Sequence, residues 1–290
     1  MDHCLRIMPE WTDDIEITPI TTGLTNQNYR AQCRGKSVFL RVFGPADFNV
    51  DRENELAWRT FAAERGLSPR ILGAFQNGWI EEFVAGRTWR VNDLQENTEA
   101  LAELVKKLHA LWLPGPPVLY DRLAAWHRLA SSHPLCPPVR EIEGLTAYLE
   151  SVNSPIVFCH NDLQEGNLMQ TDTVVAVDFE FAGLNPRGFD LANLFCEMAI
   201  DNQVAEFPGF AMDFSKYPSR ASRDAFYRVY SDDPNLEREV DAFVLASHLQ
   251  WALWGIVQAY ASEIKFGFIE YAEQRLAEYY KKKGEMQLVF

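Results

Sequence analysis

Polar and apolar positions alternate through the first eighty-odd residues. Ile15 to Thr22 and Gln27 to Arg34 read as strands flanking a Thr-Gly-Leu-Thr-Asn turn. Val38, Leu40 and Val42 then alternate with Phe39, Arg41 and Phe43, the period-2 pattern of a strand with two unlike faces. Residues from about Val50 to Arg65 carry a helical pattern with Gly66 as its stop. Two short apolar runs, ILGAF and WIEEFV, complete a small antiparallel sheet with one inserted helix. From Asn97 the period changes: NTEALAELVKKLHALW is an amphipathic helix that ends before Pro114. Six of the fifteen prolines lie between Pro114 and Pro138, which predicts short helices separated by rigid turns. After Pro155 come two brief apolar runs, IVF and VVAV, each followed at once by polar residues. Beyond Gly188 the chain reads as helix, apart from a loop around Pro208 to Pro218. The layout is α+β, with a strand-rich N-terminal lobe over residues 1–85 and a larger, mainly helical C-terminal lobe over residues 86–290. Such a pair of lobes is expected to hold its ligand in a cleft.

Composition narrows the possible partners. The 290 residues carry 41 acids against 27 bases, a formal charge of −14. That balance argues against nucleic-acid or anionic-membrane binding and favours cationic small molecules. Five cysteines without a CxxC pair argue against a disulfide framework or a zinc site. The N-terminus lacks the apolar core of a signal peptide. Phe243 to Ala261 runs nineteen residues without a formal charge, but Ser247, His248, Gln250 and Gln258 interrupt it. It is expected to be a buried core helix rather than a membrane span, and the protein to be cytoplasmic.

The chemistry concentrates in Cys159-His160-Asn161-Asp162-Leu163-Gln164-Glu165-Gly166-Asn167, followed eleven residues after Asn167 by Asp178-Phe179-Glu180. Each part follows a strand-like run, so its polar groups sit at strand ends. One Asp accepting a hydroxyl proton, with an Asn and a second Asp holding Mg²⁺ against phosphates, is a set suited to phosphoryl transfer. The protein-kinase order H-R-D-L-x-x-x-N then D-F-G appears here as HNDLQEGN then DFE.

With DFEFAGLNPRGFDLANLFCE from Asp178 to Glu197, the chain resembles choline and ethanolamine kinases of the protein-kinase-like superfamily, from about Thr21 to Tyr280. The resemblance implies a two-lobed protein-kinase-like fold, ATP and Mg²⁺ as cofactors, and phosphorylation of choline to phosphocholine, the first step of phosphatidylcholine synthesis. It makes Asp162 the catalytic base, Asn167 and Asp178 the metal ligands, and Arg41 a phosphate-holding residue. Glu55 is then the partner that orients Arg41, with Glu53 as a rival. Gly23, Thr25 and Asn26 belong to the phosphate-covering turn, and main-chain groups from Glu82 to Val84 meet the adenine. Glu197 faces the substrate ammonium, Gln164 lines the same pocket, and Trp251, Trp254 and Tyr271 form an aromatic box. Cation–π contact suits a trimethylammonium, which has no N–H to donate. Asp190 is read as a helix cap or a brace of the catalytic loop.

Two positions depart from the choline-kinase pattern. Phe181 and Asn202 stand where that family carries tyrosines, and Asn202 with Asp201 is open to a primary ammonium, so ethanolamine is the alternative substrate. An aminoglycoside or thiamine kinase shares the HND…D pattern. A pseudokinase scaffold is the reading from a different class, opposed by the intact Asp162, Asn167, Asp178 and Arg41. The resemblance also implies a homodimer.

Overall fold

The computed structural model describes residues 11, 15–20, 26–44 and 51–290. The turn with Gly23 and Thr25 lies outside the described residues. The chain divides into two compact units: Met1–Trp89 with Gly166–Glu180, and Arg90–Glu165 with Phe181–Phe290.

The first unit is built on β1 (Glu16–Ile20), β2 (Gln27–Cys33), β3 (Lys36–Val42), helix α1 (Arg52–Ala63), β4 (Ile71–Phe75) and β5 (Gly78–Glu82). The five strands form one antiparallel sheet in the order β1-β2-β3-β5-β4. Alternation on β3 sends Val38 and Leu40 into an apolar cluster with Trp11, Ala31, Cys33 and Ile80. Arg41 points to the other face. Asp51 caps α1 by accepting from the Asn54 backbone N–H (3.1 Å) and side-chain amide (2.7 Å). Glu55, Trp58, Arg59 and Ala62 then form the buried stripe of α1 at helical spacing. Beside Arg41, the chain turns through Gly78, where an added Cβ would lie 2.1 Å from the Arg41 carbonyl oxygen, so only glycine permits that approach.

A three-stranded sheet completes the unit: β6 (Arg87–Thr88) pairs β8 (Leu168–Gln170), which pairs β9 (Val174–Ala176). The sequence boundary at residues 85 and 86 assigns the 168–176 hairpin to the C-terminal lobe. The structure groups it with the first unit, because β8 pairs with β6 and the Ala176 N–H donates to the Leu67 carbonyl (3.0 Å).

The second unit carries α2 (Val91–Glu96), α3 (Thr98–His109), α4 (Leu119–Ala130), α5 (Val139–Val152), β7 (Ile156–Cys159), β10 (Gly183–Pro186), α6 (Arg187–Glu197), β11 (Ile200–Asp201), β12 (Ala211–Met212), α7 (Arg220–Tyr230), α8 (Leu236–Ala261) and α9 (Phe268–Glu285). β7 and β10 pair antiparallel, as do β11 and β12; the helix-and-loop reading of that stretch does not contain the β11–β12 pair. α8 is the core, packing on α4, α5, α6 and α9. It holds the one stretch among the described residues apolar and long enough to cross a membrane, and 94% of that stretch is buried. Four cysteines, Cys33, Cys136, Cys159 and Cys196, are free thiols.

Candidate active site

In the first unit, β3 delivers Arg41 to an ion cluster. Its two terminal nitrogens grip Asp178, Nη1 to Oδ1 at 2.7 Å and Nη2 to Oδ2 at 3.1 Å. Glu55 Oε1 stands farther off, 3.9 Å from Nη1. The expected orienting partner is therefore second to the expected metal ligand. Between the rival carboxylates, Glu55 is buried and Glu53 exposed. Burial disfavours the Arg41 charge, but the fields of Asp178, Glu81 and Glu55 outweigh it and raise its pKa. Glu180, two residues past Asp178, is pushed up to about 8, first by burial and then by Asp178 and Glu55. Asn26 donates to Glu180 (3.1 Å) and accepts from Arg52 (3.1 Å).

Asn167 and Asp178 flank the β8–β9 hairpin, and the Val177 N–H donates to the Asn167 carbonyl at 2.9 Å. Asn167 is buried, while Asp178 keeps 20% of its side chain exposed and adopts a left-handed backbone with φ 62°. An amide oxygen and a carboxylate on one hairpin are the hard donors that Mg²⁺ takes alongside water and phosphate oxygens. The donor set fits that ion.

At the end of β5, Glu82 is exposed and its carboxylate takes two 3.1 Å bonds from Arg70. The Glu82 N–H is committed to the Arg70 carbonyl (2.9 Å). That N–H is therefore not spare for another acceptor.

In the second unit, the segment after β7 is held from below. Asp190, fully buried near the start of α6, accepts from the His160 N–H (3.1 Å), the Asn161 N–H (2.7 Å) and His109 Nε2 (3.0 Å). His109 Nδ1 in turn meets the Tyr230 hydroxyl at 2.6 Å. With Nε2 donating to a carboxylate, Nδ1 is the acceptor of the Tyr230 proton. Asn161 has φ 67°, uncommon for a residue with a side chain. Its amide donates to the Phe181 carbonyl (2.8 Å) and accepts from Asn185 (2.7 Å). These bonds fix the backbone that presents Asp162, whose side chain is half-buried, as is Gln164. Asp190 therefore braces the loop. Cys159 and Cys196 are fully buried, and burial raises both thiol pKa values, that of Cys196 to about 11.

The aromatic residues named through the resemblance adjoin one another. Phe181 meets Trp251 with ring centroids 5.3 Å apart, Trp251 meets Trp254 at 5.6 Å, and Trp254 meets Tyr271 at 5.9 Å. Trp126 on α4 extends the wall, 6.0 Å from Phe181; nothing in its sequence neighbourhood marks it. Trp251 Nε1 donates to Asn193 Oδ1 (2.7 Å), which sets that indole edge. Burial raises the Tyr271 pKa, with Glu197 and Asp162 adding to the effect against Arg275. The fields of both carboxylates thus reach its hydroxyl.

Glu197 is buried, and its cationic partner is internal. Arg275 Nη1 lies 3.2 Å from Oε1, and Asn202 Nδ2 donates to Oε2 at 3.1 Å. Spacing gives no sign of Arg275, which lies 78 positions away. Asn202 also donates to Glu165 from its backbone (2.7 Å) and its side chain (3.3 Å). Burial pushes the Glu165 carboxyl up to about 7.

The choline/ethanolamine kinase family model matches residues 17–280. The chain belongs to that family. It is accordingly a kinase acting on an alcohol group, and ATP use is typical of its family. A probable choline kinase 2 of Arabidopsis thaliana is 36% identical to this family member over 97% of the chain and 90% of the relative. A choline/ethanolamine kinase of Homo sapiens is 30% identical over 98% and 83%. The structure of a choline kinase from Cryptosporidium parvum superposes with a TM-score of 0.83 at 27% identity, covering 98% of this chain and 94% of that one.

Proposed function

We propose that this kinase transfers the γ-phosphoryl group of ATP to the hydroxyl of choline, with ethanolamine as the alternative acceptor. The observation that carries the reading is the chain of edge-to-face ring contacts Phe181–Trp251–Trp254–Tyr271 in the same unit as Asp162. Aromatic rings hold a quaternary ammonium through cation–π contact, and the reading gives Asp162, half-buried on a braced backbone, the role of general base. Choline oxygen forms a bond to the γ-phosphorus, the bond from that phosphorus to the β,γ-bridging oxygen breaks, and its electron pair leaves with ADP. The hydroxyl proton passes to Asp162. Asn167 and Asp178 would hold Mg²⁺, which when bound neutralises charge on the phosphates. Arg41 adds a fixed positive charge with a fork matched to two phosphate oxygens.

The test is ADP release by the purified protein with MgATP and, separately, choline, ethanolamine, thiamine and an aminoglycoside, beside Asp162→Ala. Turnover with choline that falls at least a hundredfold in the variant supports the assignment. Turnover only with ethanolamine moves the substrate, and unchanged turnover in the variant removes Asp162 from the mechanism.

A further inference from the structure

The face of α8 that carries Trp251 and Trp254 also carries an amide. Gln258 follows the two indoles at i+7 and i+4. At about 100° per residue it projects between them, one turn beyond Trp254, and side chains four apart on a helix are neighbours. Exposure shows that the helix opens along this row. From Ser247 to Ile256 its side chains are closed to solvent or nearly so, the largest openings being Trp251 at 4% and Trp254 at 8%, and Gln258 keeps 5%. The Gln258 backbone is fixed, since its carbonyl accepts the Ser262 N–H at 2.8 Å where α8 ends. Its side-chain Oε1 is buried and accepts no hydrogen bond from any described residue. An unmet buried acceptor is costly, and an apolar residue would fill the position without that cost, so the oxygen calls for a use.

The two kinds of amino alcohol ask different things of such an oxygen. A trimethylammonium has no N–H and is served by rings. A primary ammonium has three N–H donors, which need acceptors once they leave water. Glu197, whose field reaches the Tyr271 hydroxyl, has both oxygens engaged already, by Arg275 at 3.2 Å and Asn202 at 3.1 Å. Gln258 Oε1 has lone pairs to spare on the same helix face as the tryptophans.

We propose that Gln258 is a specificity-determining residue of the acceptor pocket: its Oε1 accepts an N–H from a primary or secondary ammonium lying against Trp254, and so admits ethanolamine beside choline. The idea rests on the acceptor pocket assigned above. Its test compares wild type, Gln258→Leu and Gln250→Leu on ethanolamine, N-methylethanolamine and choline. The readouts are KM and kcat for each, thermal unfolding, and binding of each amine without nucleotide by tryptophan fluorescence. Gln250 lies one turn to the other side of Trp254; its amide is also unpartnered, but it keeps no exposed surface. It controls for loss of a buried amide that a ligand does not reach. Gln258→Leu should raise KM by about tenfold for the two amines that carry N–H groups, the effect of losing a hydrogen bond to a charged group, and leave KM for choline within about twofold. Its melting temperature should not fall, because an apolar group replaces an unmet polar one. Gln250→Leu should leave the ratio of ethanolamine to choline KM unchanged. Equal KM changes for choline and ethanolamine in Gln258→Leu, or wild-type values for both, overturn the proposal, as does the same shift of the ratio in Gln250→Leu. A lower melting temperature with loss on every amine shows a packing role and overturns it too. A wild-type protein that turns over no amino alcohol sinks the kinase reading instead. The fluorescence titration then decides the role of Gln258, by whether Gln258→Leu weakens ethanolamine binding and spares choline.

Discussion

Replacing Asp190 separates the loop brace from the chemistry it supports. Its carboxylate is fully buried and accepts three hydrogen bonds, at 3.1, 2.7 and 3.0 Å, two of them from the backbone of His160 and Asn161. Asp190→Ala leaves three buried donors without an acceptor, each worth about 1–3 kcal/mol. Water refilling the space recovers part of this, so the expected loss is about 4 kcal/mol, or roughly 6 °C or more in melting temperature for a chain of this size. The second consequence is local. Asn161 sits at φ 67°, a conformation that costs about 1 kcal/mol for a side-chain-bearing residue, and the 2.7 Å bond to Asp190 helps to hold it there. Released, the peptide relaxes and moves Asp162, and a displacement of about 1 Å costs on the order of a hundredfold in kcat. Asp190→Asn keeps one acceptor oxygen but turns an NH₂ toward donors, so it should fall between. Thermal and denaturant unfolding, run beside steady-state kinetics with choline and MgATP, reads both effects. An Asp190→Ala protein that melts within about 1 °C of wild type and keeps its kcat would refute the brace.

Trp254→Leu should raise KM for choline by about tenfold while changing kcat little, since cation–π contacts of this kind are worth about 1–2 kcal/mol; KM for ethanolamine should move less. Arg275→Met strands the buried Glu197 carboxylate and should cost about 3–5 kcal/mol of stability, and the double change with Glu197→Gln should recover more than half of it in an unfolding series. His248 is fully buried with its pKa held well below the usual 6.5, by burial and then by Arg275 and nearby lysines. Below pH 6.5 the unfolded chain takes up a proton there that the folded chain refuses. Stability should thus fall by about 1.4 kcal/mol per pH unit on acidification below about 6.5 and be flat above it for this group. His248→Gln should remove that slope from the pH dependence of denaturant unfolding.

Local rules carry much of this site. Period-2 alternation puts Arg41 on the face away from Val38 and Leu40, while the resemblance names Glu55 with Glu53 as a rival and burial separates the two. The HND–N–D order locates Asp162, Asn167 and Asp178 at strand ends, where the structure has them. What is not legible is pairing across long sequence separations. The grouping of the 168–176 hairpin with the first unit depends on β6 meeting β8, and no periodicity reports which strand is a neighbour. Arg59 reads as one more helix-surface charge, because only the register of β5 brings Glu81 beneath it. Trp126 carries no marker of its own.

The departure at Asn202 shows how the partners of a polar residue bear on its use. By type, Asn202 offers acceptors to a primary ammonium. In the structure its amide is a donor twice over, to Glu165 and Glu197, and its backbone N–H donates as well. With Arg275 on Glu197 Oε1, every oxygen of the two buried carboxylates already accepts a hydrogen bond. Burial raises both carboxyl groups, that of Glu165 to about 7, so the field this cluster offers a cation weakens as the pH falls through that range. An ammonium with three N–H donors wants acceptors with lone pairs to spare, whereas a trimethylammonium wants field and surface. The proposal of choline ahead of ethanolamine therefore rests on the four adjoining rings as a surface for a trimethylammonium, and equal turnover of the two acceptors by wild type and by Trp254→Leu would remove that ground.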